Sequence, residues 1–319
     1  MSDEQNTPQF SPEPVKTTRT GDPKETKHRA RRVKEKAYEK TPERFKNASS
    51  FQVRLRTGVA YVGLNIVCIL LSDLTTMVIL AATAGVCAGE FYYMLRSDAK
   101  MPNEVIGVIA AVLYPVAAYF IGLMGLLYVT FAFVLALTIW YVYWLRARVA
   151  DVGVCLFGAM YTGMQLSGLL FIRMSIGGFW GGVLVLVIFA SIWFNDAGAY
   201  IVGSKIGKHK LAPRTSPNKS WEGFIFGLFV SMGFWCIMLV IPGVNIALWQ
   251  CLVFGLICGL TSVVGDLCES RIKRSVGFKD SGTIMPGHGG LFDRCDSLMP
   301  TAVAAAILLF GGGCLPMPM

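Results

Sequence analysis

Between positions 266 and 296 the chain gathers Asp266, Glu269, Ser270, Lys273 and Arg274, then Lys279 and Asp280, then His288 flanked by glycines, then Asp293, Arg294 and Asp296. Asp266 and Glu269 are three residues apart, which puts both carboxylates on one face of a helix. Several carboxylates beside several cations make little sense as a loop that only sets topology. They fit a place where a divalent metal and phosphates meet, because Mg²⁺ takes carboxylate and phosphate oxygens and keeps some of its water. His288 is alone, with no second suitable histidine nearby, so it fits a hydrogen-bonding role better than a zinc site. A second group lies upstream: Asn195, Asp196 and Gly198, then Gly203, Gly207 and Lys208, then Ser216, Pro217, Lys219, Ser220, Glu222 and Gly223. Its small residues let backbone amides approach a ligand, and Lys208, Lys210, Arg214 and Lys219 crowd cations onto one loop, as a polyphosphate requires. The plainer reading of that loop is a positively charged stretch that fixes orientation.

The elements that must position these residues are apolar helices. Of 319 residues, 54% are hydrophobic and 15% charged, which excludes an ordinary soluble domain. Uncharged runs cover 57–72, 105–145, 152–172, 174–195, 223–265 and 297–319, and a single membrane span needs about 20 such residues. The two longest runs each hold two spans, divided by turn residues at 122–125 and 242–245. The pattern predicts an all-α polytopic bundle of about nine transmembrane helices, at 57–72, 74–95, 105–121, 126–145, 152–172, 179–203, 223–241, 246–268 and 297–314. Charge in a helix centre costs about 2.5–3.5 kcal/mol on insertion scales, so it normally faces a polar cavity or a partner. Most spans carry none, whereas 196–296 collects nearly all of it at or beside helix ends, and the functional site is expected there.

Lys and Arg alternate between loops. Arg96 and Lys100, Arg146 and Arg148, the stretch 205–219 and the stretch 271–294 share one side with the basic N-terminal segment, while the opposite loops hold only Arg173. Positive charge stays inside, so the N-terminus is expected in the cytoplasm and the C-terminus outside. Residues 1–50 form a separate region, with twelve Lys or Arg against eight Asp or Glu and few large apolar side chains. They read as a disordered cytoplasmic tail, whose basic run from Lys27 to Lys34 is able to lie on anionic headgroups. The membrane domain is expected over 51–319, with N-terminal helices to about 172 and a catalytic region from about 179. Nine scattered cysteines without metal-ligand spacing read as packing residues. The 34 glycines imply close helix contact and leave room for a homodimer.

At the charged positions the sequence resembles the phosphatidate cytidylyltransferase, or CDP-diglyceride synthase, family. Ser270, Ile272, Lys273, Arg274, Lys279, Asp280, Gly282, Pro286, His288, Gly289, Gly290, Leu291, Asp293, Arg294 and Asp296 stand at the spacing of the family pattern. Met285 and Cys295 replace larger aliphatic residues. Upstream, Ala197 stands where the family has a hydroxyl residue and Ser220 where it has Thr. The resemblance covers about 51–319 and is strongest over the last third. It implies that Asp266 and Asp293 help hold a catalytic metal pair, with Asp296 as a further ligand, Mg²⁺ essential and K⁺ an accompanying ion. It implies that Lys219, Lys273, Arg274, Lys279 and Arg294 meet the phosphates of CTP or of phosphatidic acid, that Ser216 and Ser270 offer hydroxyls, and that Asp196, Glu222 and Asp280 contact metal, water or basic residues. His288 stands in the catalytic set.

The activity so implied is CTP plus phosphatidic acid giving CDP-diacylglycerol and pyrophosphate, in phospholipid biosynthesis at a bacterial plasma membrane, with no nucleic-acid partner. A CTP-dependent polyprenol or lipid-alcohol kinase needs the same metal and basic pocket, and differs in releasing CDP. A transporter of an anionic solute fits less well, because the charges gather on one side instead of lining a path. A CDP-alcohol phosphotransferase is disfavoured, since no Asp-Gly-x-x-Ala-Arg motif is present.

Overall fold

The computed structural model describes residues 50–96, 102–213, 215–282, 284–285 and 289–317. The expected tail up to residue 49, Lys100, Arg214 and His288 lie outside them. With no water in a bilayer core to satisfy the backbone, an apolar chain of this kind must close its own hydrogen bonds as helices. In chain order these are α1 (Ser50–Leu71), α2 (Asp73–Leu95), α3 (Glu104–Ile121), α4 (Leu123–Tyr143), α5 (Val149–Ile176), α6 (Gly178–Ile206), α7 (Trp221–Val240), α8 (Leu248–Ser275) and α9 (Phe292–Gly311). Between α6 and α7 two short strands, β1 (Lys210–Ala212) and β2 (Ser216–Ser220), pair antiparallel with Lys210 opposite Ser220. Among the described residues, α2 to α9 are eight helices long and apolar enough to cross a membrane. The chain is an all-α polytopic membrane protein. The first expected helix is present but its apolar part, Arg56–Leu71, is shorter than the eight.

Local chemistry sets the helix ends. Ser72 caps α2, its hydroxyl accepting from the Thr75 N–H at 3.1 Å while the Thr75 hydroxyl accepts from the Ser72 N–H at 3.1 Å. Asn103 caps α3 through the Ile106 N–H. Gly122, at φ 70°, makes the turn that divides the long apolar run into α3 and α4. The α7–α8 division likewise falls at 241–247, over the expected turn residues.

Helices α6 and α8, with 29 and 28 residues, are each about 42–44 Å long at 1.5 Å per residue, against a hydrocarbon core of about 30 Å. Their ends at Ile206 and Ser275 point to the same side of the bundle, because two spans separate them in an up-and-down chain. The start of α7, the start of α9 and the end of α2 fall on that side too. Small residues permit the closest contacts: a Cβ on Gly223 of α7 would run into the Ala199 carbonyl of α6, and a Cβ on Gly265 of α8 into the Asp296 carbonyl of α9.

At the other end of the bundle sits Arg173, the basic residue that stood apart in the loop count. It is 1% exposed, its Nη1 is 2.7 Å from Asp73 Oδ1 and its Nε donates to the Ile69 carbonyl at 2.9 Å. The side chain ties α5 to the ends of α1 and α2, and a buried guanidinium is tolerable only with such partners.

Candidate active site

Helix α8 supplies the base of the site. Asp266, Glu269, Ser270 and Lys273 fall on neighbouring turns, and the last turn of a helix is a favourable place for Lys273 and Arg274. Glu269 is fully buried. Lys273 Nζ lies 2.7 Å from Glu269 Oε2 and 2.9 Å from Asp293 Oδ1, bridging α8 to the start of α9. The Lys219 ammonium, brought in by β2, forms an ion pair with Asp266, which also accepts from the Ser270 hydroxyl at 3.3 Å. Asp296 enters from α9, largely buried, with its Oδ1 accepting the Ser297 N–H at 2.7 Å. It reaches this depth because Gly265 lets α9 press against α8. A π-helical turn at Met160–Met164 in α5 aims the Tyr161 hydroxyl at the Gly265 and Asp296 carbonyls, 3.5 Å from each.

Four carboxylates, on residues 266, 269, 293 and 296, thus gather around two ammonium groups. Like charges this close in a buried setting repel one another strongly unless a cation joins them. One oxygen from each of Asp266, Glu269 and Asp296 lies within 4.8 Å of the others. Glu269 Oε1 is buried and has no hydrogen-bond partner among the described residues. Three hard oxygen donors with one buried oxygen unused fit a divalent cation such as Mg²⁺.

Asp293 is used differently. Besides Lys273 it accepts the Ser281 N–H at 3.1 and 3.0 Å and the Gly290 N–H at 3.0 Å. Its carboxylate closes the loop between α8 and α9 on itself, a loop further pinned by paired backbone bonds between Met285 and Gly289. The metal set expected from sequence is Asp266, Asp293 and Asp296; Asp266 and Asp296 lie with Glu269 in one group of acids within 4.8 Å of one another, and Asp293 stands beside that group, against Glu269 and Lys273.

The remaining expected residues surround this centre. Asp196 on α6 is close enough to Lys219 and Asp266 to interact electrostatically with both. Its neighbour Asn195 is buried and reaches Ser262 at 3.4 Å. Ser216 opens β2, half-buried. Glu222 turns away from the acidic centre and binds His209 on the hairpin, at 2.7 Å to its Nδ1 and 3.2 Å to its N–H. Arg274, Lys279 and Arg294 are exposed on the rim, Arg274 donating to the Phe278 carbonyl at 3.4 Å, and Asp280 is half-buried beside them. The structure also places Glu90 of α2 at the loop, where it accepts the Phe292 N–H at 2.8 Å. Sequence reasoning passed over it, although a signal was present: it is the single charged residue between positions 74 and 95.

The arrangement can hold a divalent ion and present ammonium and guanidinium groups to phosphate oxygens, at one end of the bundle. Comparison with known proteins agrees. Over 164 residues the chain is 42% identical to the phosphatidate cytidylyltransferase of Staphylococcus saprophyticus, 40% to that of Staphylococcus haemolyticus and 42% to that of Staphylococcus aureus strain COL. Each match takes in 51% of this chain and 61% of the relative's own length. The profile of the cytidylyltransferase family matches residues 52–311, a stretch that runs through every helix building the site, and the chain therefore belongs to the cytidylyltransferase family.

Proposed function

We propose that this protein transfers CMP from CTP to phosphatidic acid, releasing pyrophosphate and forming CDP-diacylglycerol at the cytoplasmic face of a bacterial plasma membrane. The observation that carries the reading is the acidic group of half-buried Asp266 and buried Glu269 and Asp296, interlocked with Lys219 and Lys273 in a chain of this family. The relatives' name supports the choice of lipid and nucleotide.

The reaction is an in-line attack by a phosphatidate oxygen on the α-phosphorus of CTP. The P–O bond to pyrophosphate breaks as the new P–O bond forms, and no strong base is required, because the nucleophile is already ionised. The barrier lies in bringing anions together and in stabilising charge on the equatorial and leaving oxygens. Asp266, Glu269 and Asp296 would hold Mg²⁺, whose chemistry there is to neutralise phosphate charge. Lys219 and Lys273 exchange a carboxylate partner for a phosphate oxygen as substrate enters, and Lys279, Arg274 and Arg294 widen the positive rim for the lipid headgroup. Lipid enters sideways between helices, and CTP enters from the water.

Detergent-purified protein incubated with phosphatidic acid, CTP and Mg²⁺, with and without K⁺, tests this. CDP-diacylglycerol and pyrophosphate in equal amounts from the parent, and neither from Asp266→Asn, is the expected result. Release of CDP in place of pyrophosphate would replace the reading with a lipid-alcohol kinase.

A further inference from the structure

Glu90 is an acid where the membrane makes acids costly. It lies five residues before the end of α2 and is 7% exposed. Its Oε2 accepts two bonds, from the Phe292 N–H at 2.8 Å and from the Ser281 hydroxyl at 3.1 Å. One oxygen thereby ties Ser281, inside the loop that joins α8 to α9, to the first residue of α9. Two glycines of the loop lie close against this carboxylate. A Cβ on Gly282 would meet Glu90 Oε1, then its Cδ at 2.7 Å and its Cγ at 3.2 Å, and those three atoms are the nearest obstacles. A Cβ on Gly290 would meet the Ser281 hydroxyl and Glu90 Oε2. At both motif glycines the space for a side chain is taken, by Glu90 at Gly282 and by Ser281 and Glu90 at Gly290.

Asp293 binds the same stretch from the other side, through the N–H groups of Ser281 and Gly290. Ser281 is held by both acids, through its hydroxyl by Glu90 and through its backbone by Asp293. The direction in which Asp293 faces Lys273 thus depends on where Glu90 holds the loop.

We infer that Glu90 is a positioning residue for the transfer reaction: acting through Ser281 and Phe292, it sets the loop that aligns Asp293 and Lys273. The inference rests on the proposed transfer reaction for its readout. Its substance is an accepting oxygen at position 90, which Gln retains and Met lacks at similar volume.

The full-length protein is purified as parent, Glu90→Gln, Glu90→Met, Glu90→Ala, Gly282→Ala and the Glu90→Ala/Gly282→Ala double variant, and kcat and KM for CTP are measured per folded enzyme. Glu90→Gln is expected to keep kcat within about fivefold and Glu90→Met to lose at least about 30-fold, with KM changing less than about threefold in both. Gly282→Ala is expected to lower kcat at least about fivefold in the parent and less than about twofold in the Glu90→Ala background, because its methyl group then has room. A merely structural acid would lower the melting temperature of both Glu90→Gln and Glu90→Met without moving kcat. Equal kcat in those two variants overturns the inference, as does an undiminished Gly282→Ala effect in the double variant. Should Glu90→Ala not fold, the Gln and Met pair decides. A parent that makes neither nucleotide product sinks the proposed reaction instead. The Glu90–Gly282 contact is then read in the melting temperature, where additive shifts overturn the loop geometry on which the inference stands.

Discussion

Glu269 and Asp293 both touch Lys273 and differ in burial and in their backbone partners. Glu269 is fully buried and keeps an oxygen without a hydrogen bond, whereas Asp293 spends its carboxylate on two backbone N–H groups and an ammonium. The two acids should therefore fail in different ways. Glu269→Gln removes a charge from the acidic group and is expected to raise the Mg²⁺ concentration for half-maximal activity by about 10-fold or more. It should also diminish the rise in melting temperature that Mg²⁺ gives the parent, since an ion that binds only the folded state stabilises it. Asp293→Asn keeps the shape and is expected to lower kcat while leaving the Mg²⁺ half-point within about twofold, as for a residue that aligns the site without holding the ion. Magnesium titration of activity and of melting temperature distinguishes the two. The opposite pattern would make Asp293 the ligand.

At the scale of elements, the site exists because helices approach more closely than ordinary side chains allow. Gly265 is the clearest case. A Cβ there would collide with the Asp296 carbonyl and lie 2.7 Å from Pro300 Cγ, so Gly265→Val must push α9 away from α8. The expected cost is about 1–3 kcal/mol of stability, typical of an overpacked interface, together with loss of most activity as Asp296 is drawn off Asp266 and Glu269. Thermal unfolding and turnover of the same preparation measure both. The hairpin between α6 and α7 does comparable work in brief: β2 delivers Lys219 to Asp266, and Ser220 then caps α7 by accepting the Gly223 N–H at 3.3 Å.

Taken as a whole, the bundle carries the Arg173–Asp73 pair and the acidic group at opposite ends. The Arg173–Asp73 pair and the Ile69 carbonyl lie at the end of the bundle away from the acidic group. Arg173→Met leaves a buried carbonyl and a half-buried carboxylate without their donor, which is expected to cost about 1–3 kcal/mol. The kcat of the folded fraction should stay within about twofold, because the same helices still meet correctly at the other end. A large fall in kcat at full folding would show that the two ends communicate. The orientation read from Lys and Arg is open to a direct check: a tag at the N-terminus is expected to resist protease added outside spheroplasts and to be cut when the cells are opened.

The sequence alone determined the class of molecule, the positions of the turns and the third of the chain where chemistry gathers. Those follow from local quantities, namely apolar length, turn residues and the cost of charge in hydrocarbon, and Gly122 and the stretch 242–245 divide the long apolar runs where turn chemistry predicted. It also singled out side chains that the fold brings together, Asp266, Glu269, Lys273, Asp293 and Asp296, because they lie in one short stretch around two helix ends. The placement of those acids relative to one another was decided only by tertiary structure. Asp266, Glu269, Asp293 and Asp296 are alike in type and near in sequence, and only the approach of α9 to α8 across Gly265 sets which three cluster within 4.8 Å and which one also ties down the loop. Glu90 was hidden for the same reason. Its partners lie about 200 positions away, and a bond of that span leaves no periodicity or spacing to read.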